Sequence, residues 1–436
     1  MPDALPAGPY KTVALDDGTP VPYYIIEFDK NGQCMAPETR QHLLAQAGQY
    51  TDIYLFSHGW NNDWPIARDR YDRFYEGFAA MRKEFKLPTP AGYRPLMVGI
   101  IWPGVILVGP DGHAPTMAAG GAAESQSMTE IENAVAPADV SELQRLLKST
   151  SMDEAGALSL ARILHPLYRT ATDEVGAELP SEAALIDTWI RDSGEADNIT
   201  DARDSGVADD DAVSPGMASP KPAGWLGKLA DLARGAVRVT TVWMMKDRAG
   251  VVGTAGVGPL LNGLLNAGQA RVHLVGHSYG AKVVLSALCA AKDMPRKVHS
   301  VLLLQGAVSH LCFADQVPGL KVPGGYRPAL DRTELPILAT YSSHDVSLTK
   351  LFQVALRRDD DPGEMKIGGP ISRFAALGGY GPHEAGEQML VIQPPPLPYT
   401  LKPGVRVVGL QADAAISSHG DISNAATWWA LHTLVK

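Results

Sequence analysis

The ten residues 271–280, Arg-Val-His-Leu-Val-Gly-His-Ser-Tyr-Gly, constrain the fold more than any other stretch of this chain. An apolar run typical of a buried strand leads into a G-x-S-x-G motif, and residues 281–291 then have the apolar spacing of a helix. Strand and helix crowd together at such a turn, so Gly276 and Gly280 meet a need for small residues on either side of Ser278. The pattern predicts a strand–turn–helix unit with Ser278 at its tip as a nucleophile. The alternative is an ordinary β–α turn that carries an incidental serine.

The rest of the chain alternates strand-like and helix-like segments, which is typical of an α/β protein. Several strand-like segments are short and apolar throughout, as expected for a parallel sheet that is buried on both faces. The sequence therefore predicts a mostly parallel central sheet flanked by helices. Besides the strand before Ser278, the predicted strands are 21–28, 52–57, 96–101, 300–304, 336–340 and 405–410, and the predicted helices include 37–47, 64–85 and 425–435.

The stretch 105–222 interrupts this alternation, because it shows helical but no convincing strand-like spacing. It precedes the nucleophile strand and would emerge near the carboxyl ends of the strands, where ligands bind. We therefore interpret it as a helical cap or lid on a core formed by 1–104 and 223–436. Its last part, 192–222, is acidic and rich in Gly, Ser, Pro and Ala, which predicts a mobile loop. A decorative or oligomerising insertion is the alternative, and the oligomeric state is left open. Helical spacing is found at 140–147, 152–168 and 182–191, and an amphipathic helix is predicted at 225–245.

Composition and charge narrow the class of protein. The 436 residues are 45% hydrophobic, and no run reaches the roughly 18 apolar residues that would span a membrane. Seven acidic residues and one arginine within 194–212 account for −6 of the net charge of −10, so the remainder is only mildly acidic and nucleic acid is not expected as a partner. The N-terminus lacks the basic and apolar regions of a secretory signal, and three scattered cysteines predict neither disulfides nor a zinc site. These features favour a cytoplasmic location, with export by a signal-independent route left open.

A serine hydroxyl is a poor nucleophile near neutral pH and needs a base within hydrogen-bond reach. His419 is the best candidate, because it follows the last predicted strand in the polar turn 416–422 and can reach over a nucleophile at that edge of the sheet. His277 occupies the elbow position whose side chain packs away from the serine, and His58 is more simply a structural donor. A surface turn is the alternative for His419. The remaining candidates are His344, His310 and His383.

The base in turn needs a carboxylate that fixes its tautomer and stabilises the imidazolium. Asp345 follows the predicted strand 336–340, which brings it to the same edge of the sheet. Asp413 is near the histidine in sequence but would approach from the same loop, and Asp421 is more simply a cap of the following helix. Asp345 is therefore the first choice for the acid.

Acyl transfer also needs hydrogen-bond donors for the developing oxyanion. One is the backbone N–H after the nucleophile, which here belongs to Tyr279. The second is expected in the turn at residues 57–62, Ser-His-Gly-Trp-Asn-Asn, where Gly59 lets the backbone turn inward. The N–H of Trp60 is the first choice and that of Asn61 the second. The alternative is that both side chains merely pack a turn.

These motifs together resemble the α/β-hydrolase superfamily. The order Ser278, Asp345, His419 is the serine–acid–histidine order of that fold. The H-G-W-N-N turn that begins at His58 and the W-P pair that begins at Trp102 are similar to those of an uncharacterised bacterial branch. The acid loop of that branch also resembles residues 343–348. The resemblance covers roughly 20–104 and 235–436, and it has no counterpart for the insertion.

The resemblance implies an α/β-hydrolase fold and hydrolysis through a serine acyl-enzyme, with Ser278 as nucleophile, His419 as base and Asp345 as acid. A carboxylic ester, either a small molecule or a lipid, is the expected substrate, because its leaving group demands least of the general acid. An acyltransferase, amidase or thioesterase would use the same triad. A lipid-directed phospholipase or antibacterial effector, with peripheral membrane contact through 225–245, is another alternative, and a non-catalytic binding module is the last. No residue cluster calls for a metal or organic cofactor, and the acidic run 209–211 lacks the spacing of a calcium loop.

Overall fold

A single mixed sheet forms the centre of the molecule. The computed structural model describes residues 5–14, 18–60, 62, 64–88, 90, 92–104, 128–149, 152–168, 174–176, 179–191, 229–290, 293–352 and 371–435. Within these residues nine strands join one sheet in the order β1-β2-β4-β3-β5-β6-β7-β9-β8. The strands are β1 (Lys11–Ala14), β2 (Pro20–Glu27), β3 (Asp52–Ser57), β4 (Pro95–Ile101), β5 (Arg271–His277), β6 (Ser300–Leu304), β7 (Ile337–Tyr341), β8 (Gln388–Val391) and β9 (Val407–Gln411). Every neighbouring pair is parallel except β1 and β2, so the predicted α/β class with a mostly parallel sheet is confirmed.

Helices cover both faces of this sheet. They are α1 (Pro37–Gln46), α2 (Trp64–Glu84), α3 (Val140–Leu147), α4 (Glu154–Leu164), α5 (182–191), α6 (Leu229–Val251), α7 (Gly258–Asn266), α8 (Tyr279–Ala290) and α9 (Ala425–Thr433), with short helical turns at 128–132, Pro328–Asp331 and Leu377–Tyr380. Helices α2 and α9 pack against one face and contact each other. Helices α6, α7 and α8 pack against the other face.

The alternation of side chains along each strand divides the core in two. In β2, Tyr24 and Ile26 point into the core under α6–α8, whereas Tyr23 and Ile25 point into the core under α2 and α9. Because both faces are covered, β3, β4 and β6 are buried along their whole length. This burial explains why the inner strands are mostly apolar in the sequence.

The chain reverses its direction of travel across the sheet between β3 and β5. Strand β3 leads to β4 on one side, whereas β5 leads to β6 on the other, so the connections diverge from two neighbouring strands. In open parallel sheets the crevice at such a switch point, at the carboxyl ends of the strands, is where ligands bind. The G-x-S-x-G turn follows β5 and the 57–62 turn follows β3. The fold therefore brings these two predicted elements together.

The described helices of the 105–222 stretch belong to the same core as the sheet. Leu143 of α3, Leu160 of α4 and Trp189 of α5 are completely or almost completely buried in the cluster that also contains α6. A buried ion pair adds to this packing, since Glu174 accepts a hydrogen bond from Lys282 Nζ of α8 at 2.7 Å. The segment 192–222, for which the sequence predicts a mobile loop, lies outside the described residues.

Helix α6 differs from the helix predicted at 225–245. It is described from Leu229 to Val251 and continues as a π-helix (Val252–Val257) into α7. Residues 225–228 lie outside the described part, and the apolar side chains of 232–245, such as Trp243, are buried or half-buried in the core. No helix among the described residues has the length and hydropathy needed to cross a bilayer.

Candidate active site

The turn after β5 brings Ser278 to the carboxyl edge of the sheet in a strained conformation. Its φ of 55° lies in the left-handed region, which residues with side chains rarely adopt outside functional turns. A side-chain carbon at Gly276 would lie 2.7 Å from Ala281 Cα, and one at Gly280 would collide with the carbonyl of Ser57. Only glycine fits at both positions, which is the physical reason for the G-x-S-x-G pattern.

Three residues from distant parts of the chain form a hydrogen-bonded row at this edge. His419 Nε2 lies 2.9 Å from Ser278 Oγ, and His419 Nδ1 lies 2.7 Å from Asp345 Oδ2. The carboxylate accepts only, so Nδ1 carries the proton that it donates to Asp345, and Nε2 is left to accept from the serine hydroxyl. The Asp345 side chain is fully buried, whereas that of His419 is 28% exposed. The geometry is that of a serine with a base and an orienting acid.

The buried carboxylate of Asp345 has further hydrogen-bond donors that hold it in place. Oδ1 accepts from the backbone N–H of Leu348 at 3.1 Å, and Oδ2 accepts from the Gln305 amide at 3.0 Å. Gln305 follows β6 directly and has a left-handed φ of 47°. Its amide oxygen accepts from Thr340 Oγ1 at 3.1 Å, which fixes the orientation of the amide. Asp345 is thus satisfied by Gln305 directly after β6 and by Leu348 of its own loop as well as by His419.

His58 supports the turn after β3. Its Nδ1 donates to the carbonyl of Gly59 at 2.7 Å, its Nε2 accepts from the Trp102 N–H at 3.3 Å, and its ring stacks on the Trp102 indole. Burial lowers the pKa of His58 to about 4, so the ring is neutral at neutral pH. The structural role predicted for this histidine agrees with these contacts.

His277 binds the loop that carries His419. Its Nε2 donates to the carbonyl of His419 at 2.9 Å, and burial lowers its pKa well below the usual range. The other candidate histidines have other partners. His344 is exposed, while His310 and His383 bind backbone carbonyls and pack against each other with ring centroids 5.2 Å apart.

The two rival acids also have other partners. Asp413 accepts from the backbone N–H of Ser343 at 2.7 Å and so braces the acid loop. Asp421 was expected to cap the last helix, but that expectation is wrong, because it instead accepts from the N–H and Oγ of Ser417. Asn424 caps α9 in a reciprocal capping box with Thr427.

The turn at residues 57–62 is called here the oxyanion turn, because the sequence predicts the second oxyanion donor in it. Its described residues pass directly beside Ser278. A side-chain carbon at Gly59 would touch Ser278 Cβ and lie 3.0 Å from Ser278 Oγ, so a glycine is needed for this approach. The N–H of Trp60 follows this glycine. Tyr279 begins α8, where N–H groups lack partners within the helix. Two of the predicted donors therefore adjoin Ser278, while Asn61 lies outside the described residues.

Sequence reasoning missed three residues that support this site. Gln305 is a polar residue directly after a buried strand, and this position could have marked it as a candidate site residue. Asn62 donates to the carbonyls of Gly59 and Trp60 at 3.0 and 2.8 Å. Arg70 of α2 donates to Asn62 Oδ1 at 3.1 Å. A helical arginine is usually solvent-facing, so its sequence position carries no comparable signal.

Comparisons of the chain with family models, curated proteins and solved structures found no match. Any likeness to a family consequently depends on the motifs and the geometry described above. Among the residues that the structure describes, no group of three or more His, Cys, Asp and Glu side chains could hold a metal ion.

Proposed function

We propose that this chain is a serine hydrolase of the α/β-hydrolase type that cleaves carboxylic esters. The continuous row of hydrogen bonds from Ser278 Oγ through His419 to Asp345 carries the proposal. The parallel strand pairing and the order of the three residues along the chain support that fold. The strained turn and the two adjoining backbone N–H groups support acyl transfer as the chemistry.

In the proposed reaction, Ser278 Oγ attacks the ester carbonyl while His419 Nε2 takes the hydroxyl proton. The N–H groups of Trp60 and Tyr279 stabilise the negative charge on the carbonyl oxygen. Collapse of the tetrahedral intermediate breaks the bond to the alkoxy group, which leaves as the alcohol with the proton from His419. A water molecule then attacks the acyl-enzyme, with His419 as base again, and releases the acid. Asp345 keeps Nδ1 protonated throughout and stabilises the imidazolium.

The half-buried ring of Trp60, which follows the glycine that adjoins Ser278, favours an apolar ester. The rings of Trp60 and Phe352 each pack on Tyr279, with centroids 6.1 and 6.2 Å away. Aromatic rings bind acyl chains and aromatic groups through burial of apolar surface. An amide, a thioester or a different acyl acceptor would engage the same three residues.

The test is turnover of p-nitrophenyl esters of graded chain length by the purified protein. We expect hydrolysis, and we expect Asp345→Asn to lose about 10³–10⁴-fold in kcat because the amide favours the wrong tautomer of His419. Asp413→Asn is the matched control, since Asp413 contacts the same loop but not His419, and it should retain activity. Product analysis with added alcohol, amine or thioester distinguishes hydrolysis from transfer. A protein that turns over none of these substrates contradicts the proposal.

A further inference from the structure

Arg70 bridges two loops of the candidate site. It lies on α2, partly buried, and its Nε donates to Asn62 Oδ1 at 3.1 Å while Nη1 donates to the carbonyl of Gly420 at 3.4 Å. Both acceptors are neutral. Burial, together with the charge of Arg73, lowers the pKa of Arg70 to about 10, so the guanidinium is still charged at neutral pH.

The first of these contacts fixes the orientation of the Asn62 side chain. A guanidinium can only donate, so the amide must turn its oxygen toward Arg70. The NH₂ group then faces the opposite way, toward the carbonyls of Gly59 and Trp60, which can only accept. Asn62 is 3% exposed, so water does not compete effectively for these bonds.

The carbonyl of Gly59 in turn determines where the N–H of Trp60 points. The two groups belong to one planar trans peptide, in which C=O and N–H point in opposite directions. Asn62 Nδ2 and His58 Nδ1 both donate to this carbonyl, at 3.0 and 2.7 Å. They hold the carbonyl on their side and therefore direct the Trp60 N–H to the other side of the peptide. Gly59 itself adjoins Ser278.

The second contact of Arg70 reaches the loop of the base. Gly420 follows His419, whose own carbonyl accepts from His277 at 2.9 Å. Two consecutive carbonyls of this loop are thus held by side chains from α2 and β5. Arg70 contacts the oxyanion turn and the base loop with one rigid group.

We propose that Arg70 and Asn62 are positioning residues that orient the Trp60 N–H toward the oxyanion. This inference depends on the proposed ester hydrolysis, since it assigns the two residues a role in that reaction. Neither residue touches the reacting atoms. Arg70 acts through Asn62, and Asn62 acts through the Gly59–Trp60 peptide.

The test is a double-mutant cycle with Asn62→Ala and Arg70→Met, read out as kcat and KM for an ester that the wild-type protein hydrolyses. Loss of one oxyanion donor costs about 10²–10³-fold in kcat, so we expect about 100-fold for Asn62→Ala and about tenfold for Arg70→Met. KM should stay within about threefold, because the interaction develops in the transition state. The double variant should match Asn62→Ala within about twofold, because Arg70 acts through Asn62. Arg73→Met, three residues further along α2 and exposed, is the matched control and should be unchanged.

The outcomes separate this inference from the proposed function. A wild-type protein that is inert toward every ester overturns both. An active wild type with an unchanged kcat in Arg70→Met, or with losses that multiply in the double variant, overturns the positioning role alone. The positioning role is also overturned if Arg70→Met and Asn62→Ala change only KM and not kcat. If Arg70→Met does not fold, Arg70→Lys keeps the charge but lacks the planar fork of the guanidinium, and we then expect an intermediate loss of about threefold in kcat.

Discussion

Two serine–histidine–aspartate rows lie at opposite ends of the same sheet. The carboxyl-edge triad is Ser278, His419 and Asp345. The amino-edge triad is Ser300, His273 and Asp52, where Ser300 Oγ lies 2.8 Å from His273 Nδ1 and His273 Nε2 lies 3.0 Å from Asp52 Oδ1. The hydrogen-bond distances of the two triads are nearly the same, so distance alone does not distinguish them.

The surroundings distinguish the two triads. The His273 side chain is 0% exposed against 28% for His419, and the ring of Tyr54 stacks on it at 4.6 Å. Ser300 lies at the start of β6, without a strained turn or free helical N–H groups beside it. Asp52 is also bound by Arg271 at 2.7 Å. A reactive triad therefore needs access for substrate and oxyanion donors in addition to three hydrogen-bonded groups, and the amino-edge triad serves to hold three strands together.

The largest expected difference between the triads is in their serines. We expect Ser278→Ala to lower kcat for an ester by at least about 10⁴-fold, because the nucleophile is gone. Ser300→Ala should leave kcat within about twofold and instead cost about 1–2 kcal/mol of stability, since a buried His273 nitrogen loses its donor. Ester turnover and urea unfolding of both variants are the measurements. Equal losses of activity in Ser278→Ala and Ser300→Ala would show that the two triads do not differ in function.

Substitution of the two histidines should show the same contrast between activity and stability. His419→Ala should lose about 10⁴-fold in kcat with little change in stability, because its side chain is partly exposed. His273→Ala should keep the kcat of its folded fraction but lose about 2–4 kcal/mol, through a buried cavity and the hydrogen bonds that Asp52 and Ser300 lose. Melting curves recorded beside the kinetic assays check this. A stable His273→Ala protein without activity would contradict the assignment.

A smaller effect is expected from the groups that support each acid. Gln305→Met removes one donor to Asp345 and should lower kcat about tenfold with KM nearly unchanged. Arg271→Met removes the ion pair of Asp52 and should leave kcat unchanged. Steady-state kinetics of the pair measure this contrast, and a Gln305→Met protein with full activity would show that the acid does not need the donor from Gln305.

The smallest expected effect is on the pH dependence of stability. Burial outweighs the attraction of Asp52 and lowers the pKa of His273 below its usual value. Below about pH 6.5 His273 therefore binds a proton in the unfolded chain but not in the folded one. The contribution of the neutral His273 to stability is fully present above that pH and is lost as the pH drops through the folded pKa of His273. We expect His273→Gln to flatten the fall in stability between pH 6.5 and 5. An unchanged slope in urea unfolding across this range would contradict it.

Much of the fold could be predicted because the buried strands carry a strong apolar signal. Strands β3 and β6 have the predicted bounds, and β2, β4, β7 and β9 differ by one or two residues. Strands β1 and β8 were missed. Both are four-residue edge strands with partly exposed side chains, so neither has a long apolar run. The continuation of α6 through a π-helix into α7 was also missed, because glycines and a proline interrupt its helical pattern.

The candidate site was predictable where a residue follows a strand directly. Ser278, Asp345 and His419 each lie in a loop after a strand, and parallel strands bring such loops to one edge. Arg70 could not be found in this way, because its contacts depend on how α2 packs beneath two loops distant in sequence. The amino-edge triad was hidden for a similar reason, since its three residues meet only through the strand register.

The most direct test of the account is covalent labelling with a fluorophosphonate, followed by mass spectrometric mapping of the adduct. The account predicts a single adduct on Ser278 that is lost in His419→Ala, with Ser300 unlabelled in both proteins. An adduct on Ser300 or another residue, or no adduct on the folded wild-type protein, would contradict the claim that the carboxyl-edge triad activates a nucleophile.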